Sequence, residues 1–315
     1  MQVSIIGAGT MGHALALLFT LGGHRVRLTD CNADTLGRAR VLMESALSTL
    51  REAGEVDASW TKEKLAAAVR CCSTLAETVE GTELVIEAIV EQLEAKRRLF
   101  AEIDAIAGEN VILASNTSQL NVFPLIPNRR QRRALIVHWY TPPYLVDLVD
   151  IVFGPETEPS VVDQVRDTVV AMGKVPIVLR RFIPGYIANR IQAAITLEMS
   201  RLLDEGYATP RDIDDAIIHG LALRMPILGH LAKADFTGLH LTRQMLANKM
   251  YQPPPVRGRS DTLDRLVEQG HIGVTSGRGY FDWGGRDPSE LFRERDRRLL
   301  ALKRALRGIG PLTGK

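Results

Sequence analysis

Residues 3–12 read VSIIGAGTMG, an apolar, β-rich run that leads directly into a glycine-rich turn. The turn fits the G-x-G-x-x-G pattern and a helical run follows it, so the stretch predicts a strand, a phosphate-binding loop and a helix in succession. Glycines permit the tight turn and the close approach of a pyrophosphate, which would lie at the positive end of the helix. The predicted cofactor contacts of this loop are Gly7, Gly9, Thr10, Met11 and Gly12.

Asp30 ends the next predicted strand and decides which dinucleotide the loop favours. A carboxylate at this place can accept hydrogen bonds from both ribose hydroxyls, whereas it would repel a 2′-phosphate. Arg27 lies nearby, but it precedes the strand end and the acid outweighs it. NAD is therefore the expected cofactor. The alternative, a turn that packs a helix on a strand without binding a nucleotide, is disfavoured by this context.

The first part of the chain alternates short β-rich runs with longer helical patterns, which predicts a parallel sheet with helices on both faces. We expect strands at residues 3–7, 25–30, 84–88, 111–115, 134–138, 148–152 and 176–180, and helices at 11–22, 33–53, 91–106 and 159–172. After residue 182 amphipathic helical patterns dominate, for example at 187–205 and 210–219. The predicted fold is α/β, with a Rossmann-type doubly wound, NAD-binding domain at 1–182 and an all-α substrate and dimerisation domain at 183–315.

The composition describes an ordinary globular protein: of 315 residues, 45% are hydrophobic and 24% are charged, and the net charge is +2. This near balance gives no electrostatic argument for a nucleic acid or an anionic membrane as partner. No apolar run reaches the roughly 18 to 20 residues that a transmembrane helix needs. Three cysteines without metal-like spacing, Cys31, Cys71 and Cys72, favour a reducing, cytoplasmic location and no metal site.

Residues 136–152 read IVHWYTPPYLVDLVDIV, two apolar runs around a Pro-Pro pair that carry His138, Asp147 and Asp150. An acid in such a run is costly to bury unless it is paired. Oxidation of a secondary alcohol needs a base with a pKa near neutrality and an acid that fixes its tautomer, and His138 with Asp150 can supply both. A strand, a proline turn and a returning strand would bring Asp150 beneath the imidazole, with Asp147 out of register and in solvent. The alternative is a structural histidine at a strand end.

Five stretches together resemble the 3-hydroxyacyl-CoA dehydrogenase family in their order and spacing: GAGTMG at 7–12, VIEAIVEQLEAK at 85–96, ASNTSQL at 114–120, VHWYTPP at 137–143 and PGYIANR at 184–190. The resemblance covers nearly the whole chain. This family includes dehydrogenases of the free acids L-gulonate and carnitine, and lambda-crystallin. The resemblance implies an NAD-dependent dehydrogenase of a small molecule. It also implies a homodimer formed by apolar helix faces such as those around 191–203.

The resemblance further implies roles for single residues. The implied cofactor contacts are Glu91, Lys96 and Asn116, with Glu91 near the nicotinamide end. The implied catalytic set is Ser118, His138, Asp150 and Asn189. In this set His138 is the base and Asp150 its partner, while Ser118 and the second-domain Asn189 hold the reacting oxygen of the substrate.

Two positions depart from the acyl-CoA form of the family. Thr141 stands where that form has an asparagine, and Asp150 stands where it has a glutamate. Because aspartate is one methylene shorter, it can pair with His138 only if the strands lie closer or the imidazole shifts. Thr141 remains a predicted substrate contact beside Ser118 and Asn189, although a hydroxyl lacks the second polar atom of an amide.

The resemblance implies that the substrate is a 3-hydroxyacyl-CoA, oxidised at its 3-hydroxyl group as in fatty acid metabolism. The first alternative is a free small hydroxy acid, such as L-gulonate or carnitine, because the helix after the second strand lacks the lysine-rich face with which acyl-CoA members meet CoA. Arg51 is the nearest candidate there, and Arg224 could clamp a free carboxylate or face solvent at a helix end. The second alternative is a non-catalytic, NAD-binding protein like lambda-crystallin.

Two charged stretches have simpler interpretations. The run NRRQRR at 128–133 favours a solvated loop over a contact with an anionic substrate. The run RERDRRLLALKRAL at 293–306 predicts an amphipathic helix with a solvated face.

Overall fold

The computed structural model describes residues 1–249 and 251–312. Two compact units divide the chain: the first is Met1–Ala188 and the second begins at Asn189. The predicted fold class is confirmed, because the first unit combines a mostly parallel sheet with helices and the second unit is helical. The domain boundary after residue 182 stays a prediction.

Within the described residues, the sheet of the first unit has eight strands in the order β3-β2-β1-β4-β5-β6-β7-β8. They are β1 (Gln2–Ile6), β2 (Arg25–Thr29), β3 (Val69–Cys71), β4 (Leu84–Glu87), β5 (Ile112–Ser115), β6 (Ala134–Trp139), β7 (Leu148–Phe153) and β8 (Val175–Leu179). Strands β1 to β6 are parallel, whereas β7 runs antiparallel to β6 and parallel to β8. The sequence pattern located all of these strands except β3, which has too few residues to show a period.

Helices of the first unit are α1 (Gly12–Leu21), α2 (Ala33–Glu52), α3 (Lys62–Ala68), α4 (Leu75–Val79), α5 (Leu93–Ile106) and α6 (Pro159–Ala171). Helix α1 is apolar on all sides and almost wholly buried, as its run HALALLFTL requires. Helix α2 begins after Asn32, whose side chain accepts hydrogen bonds from the backbone N–H groups of Asp34 and Thr35. The short helices α3 and α4 were not predicted.

The carboxyl ends of the central strands lie level with one another. The register pairs Ile6 with Glu87 and Glu87 with Ser115, and Ser115 is opposite Ile136 on β6. The strands read as nearly continuous apolar runs because they are buried on both faces. The loops after β1, β4, β5 and β6 therefore meet at one edge of the sheet, where doubly wound folds bind their ligands.

Helix α7 (Ala188–Asp204) begins at the last residue of the first unit and continues into the second. The second unit also contains α8 (Pro210–Asp215), α9 (Met225–Thr237), α10 (Leu239–Asn248), α11 (Asp261–Glu268) and α12 (Pro288–Ile309). The predicted helix at 210–219 is divided, because a π-helical segment, Ala216–Ala222, follows α8. Gly229 has non-helical φ and ψ angles and interrupts α9. The amphipathic helix expected at 293–306 lies within α12. Among the helices of the described ranges, none has both the length and the apolar character needed to cross a membrane.

Candidate active site

The glycine loop between β1 and α1 has the backbone that its sequence requires. Gly7 has a φ angle of 99°, and a Cβ atom there would lie 2.5 Å from the carbonyl oxygen of Ala88. Gly12 is equally restricted, because its Cβ atom would clash with the carbonyl oxygen of Gly7. A Cβ atom on Gly9 would meet no atom within 4 Å. Gly9 thus keeps open the space that a pyrophosphate needs, while Gly7 and Gly12 close the turn behind it.

A cleft of about 730 Å³ lies against this loop. Asp30 forms part of its wall, and its carboxylate oxygens accept hydrogen bonds from the N–H groups of Ala8 at 2.7 Å and Asn32 at 2.8 Å. These two bonds hold the carboxylate in place at the end of β2. Every predicted cofactor contact lines the cleft except Gly12, which is buried behind the turn. The open space at Gly9 and the fixed acid at Asp30 fit a dinucleotide.

Lys96 on α5 is paired with two carboxylates of the protein. Its side chain is 1% exposed, and its Nζ atom lies 2.6 Å from Oε1 of Glu87 and 3.2 Å from Oε2 of Glu91. Glu87 ends β4, is fully buried, and accepts a second bond from the hydroxyl of Ser115 at 2.6 Å. The sequence analysis did not select Glu87, although an acid inside the apolar run LVIEA signals a buried partner. Lys96 borders the cleft with its charge already balanced.

Glu91 shapes the loop that follows β5. Its Oε1 atom accepts hydrogen bonds from the hydroxyl of Thr117 at 2.6 Å and from the N–H groups of Ser118 at 2.9 Å and Gln119 at 3.0 Å. Burial raises the pKa of Glu91, but the bonds from Thr117 and Gln119 and the charge of Lys96 outweigh burial, so the pKa lies below its ordinary value. Glu91 is thus an anion that holds Ser118 at the edge of the sheet.

His138 lies between an acid and a hydroxyl. Its Nδ1 atom is 3.2 Å from Oδ2 of Asp150, and its Nε2 atom is 3.1 Å from the hydroxyl oxygen of Ser118. The antiparallel register of β6 and β7 sets His138 directly opposite Asp150, and both residues are buried. When Nδ1–H donates to Asp150, the neutral imidazole keeps its lone pair on Nε2. Asp147, expected in solvent, instead forms an ion pair with Lys174 at 3.1 Å.

Two tyrosines that the sequence analysis did not select lie beside His138. The hydroxyl of Tyr140 donates to Oδ2 of Asp150 at 2.7 Å, and that of Tyr186 donates to the carbonyl oxygen of Thr117 at 2.6 Å. Burial raises the pKa of both hydroxyls, and the next cause is the hydrogen bond to Asp150 for Tyr140 and the negative charge of Glu91 for Tyr186. The sequence could have indicated Tyr140, because it is two residues from His138 and residues two apart along an extended chain lie on the same face.

The structure brings the predicted residues Asn116 and Thr141 to the same edge. The side-chain oxygen of Asn116 accepts a hydrogen bond from the N–H group of Trp139 at 2.9 Å, and Asn116 lines the cleft. Thr141 is exposed, and its hydroxyl donates to the sulfur of Met11 at 3.0 Å. Thr141 therefore lies next to the glycine loop, and its role toward a substrate stays a prediction.

Asn189 and Arg224 belong to the second unit. Asn189 is half-buried in the first turn of α7. Arg224 directly precedes α9, is exposed, and donates through Nε to the carbonyl oxygen of Gly220 at 3.2 Å. Their roles toward a substrate stay predictions. Over residues 1–249 and 251–312, no group of three or more His, Cys, Asp or Glu side chains could hold a metal ion.

Two family descriptions match the chain. The description "3-hydroxyacyl-CoA dehydrogenase, NAD binding domain" matches residues 2–182, and "3-hydroxyacyl-CoA dehydrogenase, C-terminal domain" matches residues 185–283. Among curated relatives, L-carnitine dehydrogenase of Nocardiopsis dassonvillei is 34% identical over 98% of this chain and 92% of the relative. The mitochondrial hydroxyacyl-coenzyme A dehydrogenase of Sus scrofa is 30% identical over 90% of this chain and 91% of the relative.

A third relative is similar over its full length in both sequence and structure. The 5-formyl-3-hydroxy-2-methylpyridine 4-carboxylate 5-dehydrogenase of Mesorhizobium japonicum is 27% identical over 98% of both chains. A crystal structure of a dehydrogenase with this substrate, described as an NAD⁺-dependent dismutase, superposes with a TM-score of 0.85 at 27% identity and covers 98% of both chains. Both comparisons extend across the two units of the fold.

Proposed function

Because the chain belongs to the 3-hydroxyacyl-CoA dehydrogenase family and is an NAD-dependent dehydrogenase, we propose that it oxidises a secondary alcohol with His138 as the base. The observation that carries this proposal is the buried imidazole held between Asp150 and Ser118. A packing histidine at a strand end would need neither partner. This arrangement also argues against the non-catalytic, crystallin-like alternative.

Each residue of the candidate active site has a separate role in the proposed reaction. His138 takes the hydroxyl proton of the substrate on Nε2, and Asp150 stabilises the imidazolium that forms. Ser118 donates a hydrogen bond to the reacting oxygen, a role that the sequence also predicts for Asn189. Bound NAD supplies the acceptor for the hydride. Gly9 and Asp30 would hold the pyrophosphate and the ribose of this cofactor, and Asn116 and Glu91 would contact it from the same cleft.

We propose a small free hydroxy acid as the substrate, in preference to a CoA thioester. Helix α2 contains no lysine, and part of its exposed surface is apolar, with Val41 68% exposed and Leu42 46% exposed. Two full-length relatives are named for free carboxylates, carnitine and a pyridine carboxylate. Arg224 would clamp the substrate carboxylate. The competing candidate is the 3-hydroxyacyl-CoA expected from the sequence, which the family description and the pig enzyme support.

The test follows NADH absorbance with L-carnitine, L-gulonate and 3-hydroxybutyryl-CoA in parallel. Turnover of the free acids without turnover of the thioester supports the substrate proposal, and the reverse result overturns it. His138→Gln should lower kcat by at least about 100-fold, because the proton then has no base, while NAD binding stays nearly unchanged. His240→Gln, an exposed histidine of the second unit, is the matched control. A His138→Gln enzyme with full activity would contradict the mechanism.

A homodimer and a cytoplasmic location belong to the same proposal. Apolar side chains of α7 are exposed on the isolated chain, Ile191 by 58% and Ile195 by 37%, and a two-fold interface would cover them. The three cysteines are unpaired, which suits a reducing compartment. A role in fatty acid metabolism depends on the thioester candidate.

A further inference from the structure

Asp150 has two hydrogen-bond donors on one oxygen. Oδ2 accepts from Nδ1 of His138 at 3.2 Å and from the hydroxyl of Tyr140 at 2.7 Å. Within the described residues, the buried Oδ1 atom has no hydrogen-bond partner. The tyrosine bond is the shorter of the two and has the length typical of a hydroxyl bound to a carboxylate.

We propose that Tyr140 is a positioning residue that fixes the Asp150 carboxylate and keeps His138 a weaker base; this inference rests on the proposed function of His138. A carboxylate oxygen that already accepts a strong hydrogen bond carries less negative charge toward its second donor. Asp150 then stabilises the imidazolium form of His138 less than it would without the hydrogen bond from Tyr140. A base that stays unprotonated near neutrality can accept the substrate proton.

The long contact between Asp150 and His138 explains why a second donor is useful here. The 3.2 Å between Oδ2 and Nδ1 exceeds the 2.7–2.9 Å that is typical of a charge-assisted bond. Tyr140 approaches the same oxygen from the end of β6, with its ring 4.6 Å from the imidazole at an interplanar angle of 71°. It therefore limits both the rotation of the carboxylate and the movement of the imidazole.

Other polar groups around the imidazole come from several elements. The hydroxyl of Ser118, in the loop after β5, faces Nε2 of His138. The ring of Tyr186, in the segment before α7, has its centre 4.9 Å from that of the imidazole. Tyr186 donates to a backbone carbonyl, and Glu91 is held by its own donors and by Lys96. Among these groups, Tyr140 is the one that contacts Asp150 directly. Burial and the bond to Asp150 raise the pKa of Tyr140, so its hydroxyl remains a donor at neutral pH.

The test measures the titration of His138 in the full-length protein without any substrate. NMR spectra of protein labelled with ¹³C-histidine follow its seven imidazoles, and His138→Gln identifies the relevant signal. Tyr140→Phe should raise the pKa of His138 by roughly 0.5 to 1 unit, because Asp150 then loses a competing hydrogen bond and stabilises the imidazolium more strongly. The matched control is Tyr186→Phe, which removes a hydroxyl from the other neighbouring ring and should leave this pKa within about 0.2 units.

A second variant should change the pKa of His138 in the opposite direction. It remains informative even if the Tyr140→Phe protein does not fold. Site-specific 3-fluorotyrosine at position 140 keeps the ring and makes the hydroxyl a stronger donor, so the pKa of His138 should fall. The role of Tyr140 is overturned if the pKa of His138 is unchanged in both the Tyr140→Phe and the 3-fluorotyrosine proteins. It is also overturned if His138 does not titrate in these two proteins or in the wild type. Loss of the base mechanism is a separate outcome, because it appears as activity that survives His138→Gln.

Discussion

At the scale of single residues, buried charge controls the site. Glu87 and Lys96 are both at most 1% exposed, and their direct contact at 2.6 Å is what allows each to be charged inside the fold. Lys96 also contacts Glu91, which in turn holds Ser118. A change at Glu87 is therefore expected to affect Ser118 through Lys96 and Glu91, in addition to Ser115 and Asn116, which Glu87 contacts directly.

Glu87→Gln should lower the free energy of unfolding by about 3 kcal/mol, because it leaves the buried ammonium of Lys96 with one carboxylate instead of two. Denaturant unfolding of the full chain measures this loss. Glu94→Gln, on the helix that carries Lys96, is the matched control: Glu94 is 71% exposed and pairs with Arg97 at 3.5 Å, so its change should stay under about 0.5 kcal/mol. Equal effects of the two substitutions would contradict the importance of burial.

At the scale of elements, the arginine-rich run has a different role from the one expected. It forms a 3₁₀ helix, Asn128–Arg133, next to the carboxyl end of α5. Arg130 is buried and donates to Asp104 and to the carbonyl oxygens of Ala107 and Gly108. The expectation of a solvated loop is thus wrong for Arg130, which satisfies carbonyl groups that the end of a helix leaves without partners.

Arg130→Ala should lower the free energy of unfolding by about 2–4 kcal/mol, because it removes the buried guanidinium from Asp104 and takes its hydrogen-bond donor from the carbonyl oxygen of Ala107. Arg129→Ala is the matched control. Arg129 approaches the same oxygen of Asp104 at the same 2.7 Å, but its side chain is 63% exposed compared with 4% for Arg130. Its loss should stay under about 1 kcal/mol. If both variants lost the same stability, the capping role would be wrong.

At the scale of the whole molecule, the second unit leaves apolar side chains uncovered. Met245 and Leu246 on α10 are 74% and 77% exposed, in addition to the apolar residues of α7. Exposed apolar surface of this kind is typical of subunit contacts. The expected state is therefore the homodimer proposed above.

Sedimentation equilibrium at micromolar concentration should give a mass of twice 34.8 kDa. Ile191→Glu should shift this mass toward the monomer, because a charge cannot be buried unpaired in an apolar interface. Val41→Glu on α2, at a position 68% exposed in the first unit, should leave the mass unchanged. A monomeric wild-type protein would contradict the proposal.

Much of the fold could be predicted because its signals are local. The glycine pattern, the apolar runs of the parallel strands and the helical periodicities each depend on a few neighbouring residues. The sequence also predicted the pairing of His138 with Asp150, because these positions resemble the histidine and acid of the family, and the antiparallel register of β6 and β7 sets the two residues opposite each other. Strand β3 and the helices α3 and α4 were missed because such short segments carry almost no periodicity.

By itself, then, the sequence determined the fold class, the glycine loop and the pairing of His138 with Asp150. Only the tertiary structure decided that Lys96 is shared between Glu87 and Glu91, that Arg130 caps α5, and that Tyr140 shares an oxygen of Asp150 with the imidazole. The physical reason is that buried polar groups must find partners in space. Those partners are set by strand order and side-chain reach, which a local pattern of residues does not contain.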